Sequence, residues 1–119
     1  LGAVHSMSHA IGADQELRLH HGTLNGVILP TILRFNKDHV GDKYARIARA
    51  MGKAESVDLA DEIEKLNETI GLPKGLAEMG ITEDMIPHLA AHSMTDPSNA
   101  TTPRLPSEEE WTKLFMEAM

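Results

Sequence analysis

Three features of the sequence predict an all-α chain. Its apolar residues recur at three- and four-residue spacings, no run alternates apolar with polar in the manner of a strand, and glycines, prolines and N-cap residues cut it into helix-length pieces. With 119 residues the chain suits one domain, able to bury about two-thirds of its unfolded surface.

The elements follow in order. A first helix covers Gly2 to Ile11 and stops at Gly12; its small apolar residues mark it as buried although it carries His5 and His9. A second, Thr23 to Phe35, is apolar on nearly every side through Leu24, Val27, Ile28, Leu29, Ile32, Leu33 and Phe35, and therefore belongs at the centre of the core. Pro30 within it removes one backbone donor and crowds the carbonyl of Gly26, which predicts a bend that aims the His21 end. A third helix, Asp42 to Met51, turns Tyr44, Ile47, Ala48 and Met51 inward and ends at Gly52.

Ser56 suits the N-cap of a fourth helix, in which Leu59, Ile63, Leu66 and Ile70 form a core stripe. Its acidic face, Asp58, Asp61, Glu62, Glu64 and Glu68, reads as solvated rather than metal-binding. After the break from Gly71 to Gly75 a short helical turn leads to a helix from Glu83 to Met94, with acidic residues in its first turn where they complement the dipole. Asp96 to Pro106 holds three prolines and no periodicity, which predicts an extended loop. Ser107 and Glu110 form a capping-box pattern, and Trp111, Leu114, Phe115 and Ala118 are the buried stripe of the last helix.

The segment with chemical content is Val4 to Asn25, VHSMSHAIGADQELRLHHGTLN. His5 and His9 stand four apart, so they share one helix face, and Gly12 falls on the same stripe, a position without Cβ where backbone or ligand can approach. The polar stretch Ala13 to Leu19 is short enough to fold back and bring His21 towards His5. Buried imidazoles need partners, and three that converge in this way suit a metal ion. His88 and His92 repeat the H-x-x-x-H spacing but lack a third histidine in a matching loop, which favours a surface reading.

These residues resemble the iron-containing (group III) alcohol dehydrogenases. The H-x-M-x-H-x-x-G of His5 to Gly12, the H-G-x-x-N of His21 to Asn25 and the proline-bearing helix VILPTILRFN from Val27 to Asn36 are similar to that family's metal-binding signature. The GLP at Gly71 to Pro73, the G-I-x-E-D-x-I-P of Gly80 to Pro87 and the T-P-R of Thr102 to Arg104 extend the likeness to the end of the chain, although Thr102 stands where the family commonly has Asn. The resemblance implies an all-α bundle corresponding to the C-terminal part of the dehydroquinate synthase-like, iron alcohol dehydrogenase α-domain.

It implies further that His5 and His21 are two of four metal ligands and that His9 stands beside the metal, near substrate and nicotinamide, as catalytic and cofactor-contacting residue. The spacing from Gly12 to His21 is longer than usual in the family, which brings His20 into question as the facing imidazole; Gly22 and Asn25 favour His21, and His20 reads as a loop or surface residue. The other two ligands, an Asp and a His one helical turn apart, and the nucleotide-binding domain are expected upstream. Residues 1–119 therefore read as a partial C-terminal helical metal-binding domain, a fragment inactive alone. The implied reaction moves a hydride between an alcohol and NAD or NADP, with a divalent cation, iron(II) or zinc, polarising the oxygen. His9 is suited by its ordinary pKa to relay the released proton.

Composition excludes other classes. There is no cysteine, which removes disulfides and thiolate chemistry and fits a reducing, cytoplasmic compartment. The net charge of -7 argues against nucleic acid; the local basic run from Arg34 to Lys53 reads as a solvated helix face. No apolar run reaches the roughly 20 residues of a membrane span. Surfaces shaped for a missing part predict self-association into a homo-oligomer. The rival of a different class is a non-catalytic helical module, or assembly piece, that binds metal weakly or not at all; a three-histidine metal hydrolase is a third reading, without a second motif to support it.

Overall fold

The computed structural model describes residues 1–13 and 17–119, and the described residues contain helices and no strand. Among the described residues there are six α-helices: α1 (Ala3–Gly12), α2 (His21–Asn36), α3 (Lys43–Ala50), α4 (Leu59–Thr69), α5 (Ile86–Met94) and α6 (Glu108–Glu117). Five of them pack in the order α4, α2, α1, α5, α6, and α3 lies against α4. The extents of 41 × 30 × 19 Å make a slab about two helices thick, given a helix diameter of about 10 Å.

One continuous core joins α1, α2, α5 and α6, with Met7, Ile11, Leu24, Ile28, Trp111 and Phe115 fully enclosed. The last helix matches its sequence signature in full: Ser107 accepts from the Glu110 N–H, Glu110 returns a bond to the Ser107 N–H, and Trp111, Leu114, Phe115 and Ala118 are buried. Arg104 from the T-P-R segment pairs with Glu110 and lies over the Phe35 ring, 4.1 Å from its centroid. That segment therefore fastens the start of α6 to the end of α2.

Pro30 is accommodated inside α2, which continues to Asn36. The Gly26 carbonyl that Pro30 cannot serve accepts instead from Asn67 Nδ2 on α4, at 2.7 Å. At Gly75 a Cβ would stand 2.1 Å from the Met119 carbonyl oxygen, so only glycine fits where Leu76 N–H bonds Ala118 O at 2.8 Å.

Several expectations are corrected. The cap of α4 is Asp58, which accepts from the Ala60 and Asp61 N–H groups, and not Ser56. Leu66 and Ile70 are 45% and 60% exposed, because α4 meets α2 through Asp61, Glu64 and Asn67, a face displaced from the apolar stripe. Ile47 is likewise exposed, while Tyr44 anchors α3 by donating to Leu33 O at 3.0 Å. Residues Glu83–Met85 form a 3₁₀ turn, and α5 begins at Ile86 with Pro87 in its first turn, where a missing N–H leaves no bond unmade. The Asp96 to Pro106 segment holds a 3₁₀ turn, Pro97–Thr101.

The charged faces of α2, α3 and α4 neutralise one another. Arg34 bonds Asp61 and Glu64, Lys37 bonds Asp58, and Arg49 bonds Glu55. Glu62, expected in water, is buried between Lys53 at 2.8 Å and Lys65 at 2.6 Å. Four cations of the basic run, Arg34, Lys37, Arg49 and Lys53, are thus paired with carboxylates of their own chain. Among the described residues no helix is long and apolar enough to cross a membrane.

Candidate metal centre

The helix pair α1 and α2 brings three imidazoles together. Helix α1 packs against α5, and the small residues Ala3, Ser6 and Ala10 of the one and Ala90 and Ser93 of the other are all buried. Ser93 donates to Ser6 O at 3.2 Å and to Leu89 O at 2.9 Å, Ser6 donates to Asn99 Oδ1 at 2.7 Å, and Asn99 Nδ2 donates to Ser93 O at 2.8 Å. Every polar group of this buried seam finds a partner, which fixes the azimuth of α1 and hence the direction of its histidines.

Ring centroids of His5 and His21 lie 5.3 Å apart, those of His9 and His21 5.4 Å, and those of His5 and His9 5.7 Å. With cation-to-nitrogen distances of about 2.1 Å, two imidazoles on one tetrahedral cation have centroids about 5 Å apart. The His5–His21 pair is close to that spacing, whereas His9 stacks on His21 with the two rings 14° from parallel. The His88 and His92 rings, at 6.5 Å, are wider, and His88 is exposed. Among the described residues no group of three imidazole or carboxylate ligands stands ready to hold a metal by itself.

Each ring is held differently. Burial first, and then the neighbouring His21 and His9 rings, keep the pKa of His5 below its ordinary value, which favours the neutral ring that a metal ligand needs. The Ser8 hydroxyl donates to His5 O at 3.1 Å and therefore faces His21 Nδ1, 3.4 Å away, as an acceptor. That assigns the proton to Nδ1 of His21 and a lone pair to Nε2, which Asn25 Nδ2 approaches to 3.1 Å. His20 is the N-cap of α2, its Nδ1 accepting from the Thr23 N–H at 3.2 Å, so it serves the helix end. Gly12 is an exposed helical residue, and no described atom lies within 4 Å of a Cβ placed there. The polar stretch after Ala13 falls partly, at residues 14–16, outside them.

Sequence reasoning missed Asp96. Its Oδ2 lies 3.0 Å from His9 Nδ1, and its side chain is only 8% exposed against 42% for His9. Burial pushes the carboxyl pKa up, but bonds from the Ser98 N–H and hydroxyl, with the His9 ring, outweigh it and hold Asp96 below the usual carboxylate value. The signal available was Asp96-Pro97, an N-cap followed by proline at the first position of a turn; nothing in spacing linked it to residue 9. A groove of about 500 Å³ runs from His5 along α2, lined in part by Asn25, Leu29, Ile32, Tyr44 and Thr102.

The chain belongs to the Fe-containing alcohol dehydrogenase family and matches its C-terminal part over residues 1–119. It is 39% identical to the 4-hydroxybutyrate dehydrogenase of Cupriavidus necator, over 100% of this chain and 33% of that protein. With the lactaldehyde reductase of Escherichia coli (strain K12) it shares 34% identity over 99% of this chain and 32% of that protein. The crystal structure of a 1,3-propanediol oxidoreductase superposes with a TM-score of 0.92 at 30% identity, covering 100% of this chain and 33% of the other. The chain thus spans about a third of the length of the relatives it matches.

Proposed function

We propose that residues 1–119 are the C-terminal, metal-holding part of an NAD(P)-linked alcohol dehydrogenase. The observation that carries this reading is the convergence of His5, His9 and His21, with ring centroids 5.3 to 5.7 Å apart, in a chain of that family. His5 and His21 would hold the cation through neutral imidazoles, completed by an Asp and a His from an upstream helix. When bound, the divalent cation, iron(II) or zinc, supplies Lewis-acid polarisation of the substrate oxygen, and the nicotinamide carries the hydride. Ser8 orients His21 through Nδ1, and His9 takes the alcohol proton on Nε2 and passes it on to solvent, to which its side chain is open.

The nucleotide-binding domain belongs upstream in this reading, the enzyme is cytoplasmic, and it assembles as a homo-oligomer, for which exposed Leu66 and Ile70 offer apolar surface. The experiment is elemental analysis of the full-length protein beside His5→Ala and His21→Ala, with nicotinamide absorbance followed during oxidation of small primary alcohols. Metal near one equivalent, lost in both variants together with turnover, is the expected result. Full metal content in both variants, or alcohol oxidation independent of them, would overturn the assignment.

A further inference from the structure

One carboxylate answers two demands at the edge of the histidine triangle. Asp96 Oδ1 accepts the Ser98 N–H at 2.8 Å and so caps the Pro97–Thr101 turn, which leaves Oδ2 for His9 Nδ1 at 3.0 Å. We propose that Asp96 is a positioning residue for His9, fixing its imidazole as the Nδ1–H tautomer and so leaving Nε2 with a free lone pair. The proposal rests on the dehydrogenase reading only for its catalytic consequence; the tautomer itself stands on this geometry.

The direction of the bond follows from what each group can do. An ionised carboxylate only accepts, so the nitrogen that faces it must carry a hydrogen, and a neutral imidazole has a single N–H. Nε2 is then the basic nitrogen, on the ring that stacks against His21. With the opposite tautomer the ring would present a hydrogen to the alcohol and could take no proton from it. The anchor is firm: Asp96 is nearly buried, and three residues on, Asn99 bonds Ser93 O, Met94 O and the Ser6 hydroxyl, so the turn that carries the carboxylate is tied to both α1 and α5.

The substitution Asp96→Asn separates position from charge with almost no change of shape. The amide oxygen keeps the cap on Ser98, and the amide NH₂, a donor only, is left against His9 Nδ1. The ring must then give up its Nδ1 hydrogen and become the Nε2–H tautomer. Neutron diffraction of the full-length protein, exchanged into D₂O at a pD above the imidazole range, reads this directly. Deuterium on Nδ1 and none on Nε2, reversed in Asp96→Asn, is the expected pair of maps. Deuterium on Nε2 alone in the unaltered protein overturns the proposal; so does Nδ1 deuterium retained in Asp96→Asn, since the ring would then hold its tautomer without the carboxylate.

If Asp96→Asn does not fold, the map of the unaltered protein decides alone. Turnover supplies a separate arm: His9→Ala and Asp96→Asn are each expected to lower kcat by about 10²- to 10⁴-fold, the ordinary range for a positioned base, with KM little changed. An unchanged kcat in His9→Ala, with the expected neutron maps, would remove the proton-relay role from the proposed function and leave the Asp96 assignment intact.

Discussion

Asn67 on α4 donates its side-chain amide to the carbonyl of Gly26 on α2, 2.7 Å away, and that carbonyl is the one whose intrahelical partner Pro30 has removed. A proline in a helix interior leaves one acceptor unmade and crowds the residue four back. Here the vacancy becomes the docking point between two helices, and the missing Cβ of Gly26 lets the Leu72 side chain approach to 2.6 Å of the place it would occupy.

Asn67→Ala should therefore destabilise the chain by about 1–3 kcal/mol, the cost of orphaning a partly buried acceptor. In Pro30→Ala the restored N–H serves Gly26, and the same Asn67→Ala change should then cost markedly less. Urea unfolding of the four proteins of the cycle measures the coupling. Additive effects would show that the two residues do not share the carbonyl.

Gly75→Ala should destabilise by about 1–3 kcal/mol through overpacking, since the added methyl meets backbone rather than a movable side chain. The loss should appear in the fluorescence of Trp111, the one tryptophan of the chain, which sits in the core that α6 completes. The same change at Gly41 or Gly52 meets no atom within 4 Å, and only the left-handed backbone there, with φ of 56 and 74, opposes a side chain. A Gly75→Ala protein as stable as its parent would refute the steric account.

Acid should lower the stability of the metal-free chain over two pH ranges. His5 resists protonation when folded, so below its ordinary value of 6.5 the unfolded state binds more protons and stability falls as pH falls. The second range belongs to carboxyls held below their usual values: Glu62 by Lys53 and then Lys65, Asp58 chiefly by Lys37, and Glu110 chiefly by the Ser107 N–H. Their stabilisation is present above about 4.5 and is lost as pH falls through their lowered folded values. His5→Gln should abolish the upper decline and leave the lower, as read from urea midpoints against pH. A single decline unaffected by His5→Gln would contradict the first assignment.

Asn99→Ala removes the acceptor of the buried Ser6 hydroxyl and the donor to Ser93 O, and should cost about 1–3 kcal/mol. Because Asn99 also fixes the turn carrying Asp96, amide hydrogen exchange at residues 96–102 should quicken more than in α6. Uniform quickening across the chain would mean that the seam contributes stability without holding the turn.

Much of this was legible in the sequence, for physical reasons that differ by element. The capping box at Ser107 and Glu110 is local, and the stripe of Trp111, Leu114, Phe115 and Ala118 faces a core inside the same chain, so both could be read from spacing. The stripe of Leu66 and Ile70 looked equivalent, yet α4 turns Glu64 and Asn67 to its neighbour, a preference set by Arg34 and by the orphaned Gly26 carbonyl on another helix. Periodicity reports that a face is apolar and not what lies across from it. The convergence of His5 and His21 followed from a motif, whereas Asp96 reaches His9 across 87 residues, through a turn whose placement depends on Asn99 and the serine seam.

That seam carries a lesson for altering the chain by mutagenesis. Ala3, Ser6, Ala10, Ala90 and Ser93 are all buried, so a larger side chain at any of them must displace its surroundings, and a displacement of α1 carries His5 and His9 together. Libraries confined to the residues around the imidazoles would leave this lever untouched, while conservative changes of size on the hidden side of α1 would shift two of the three imidazoles against the third.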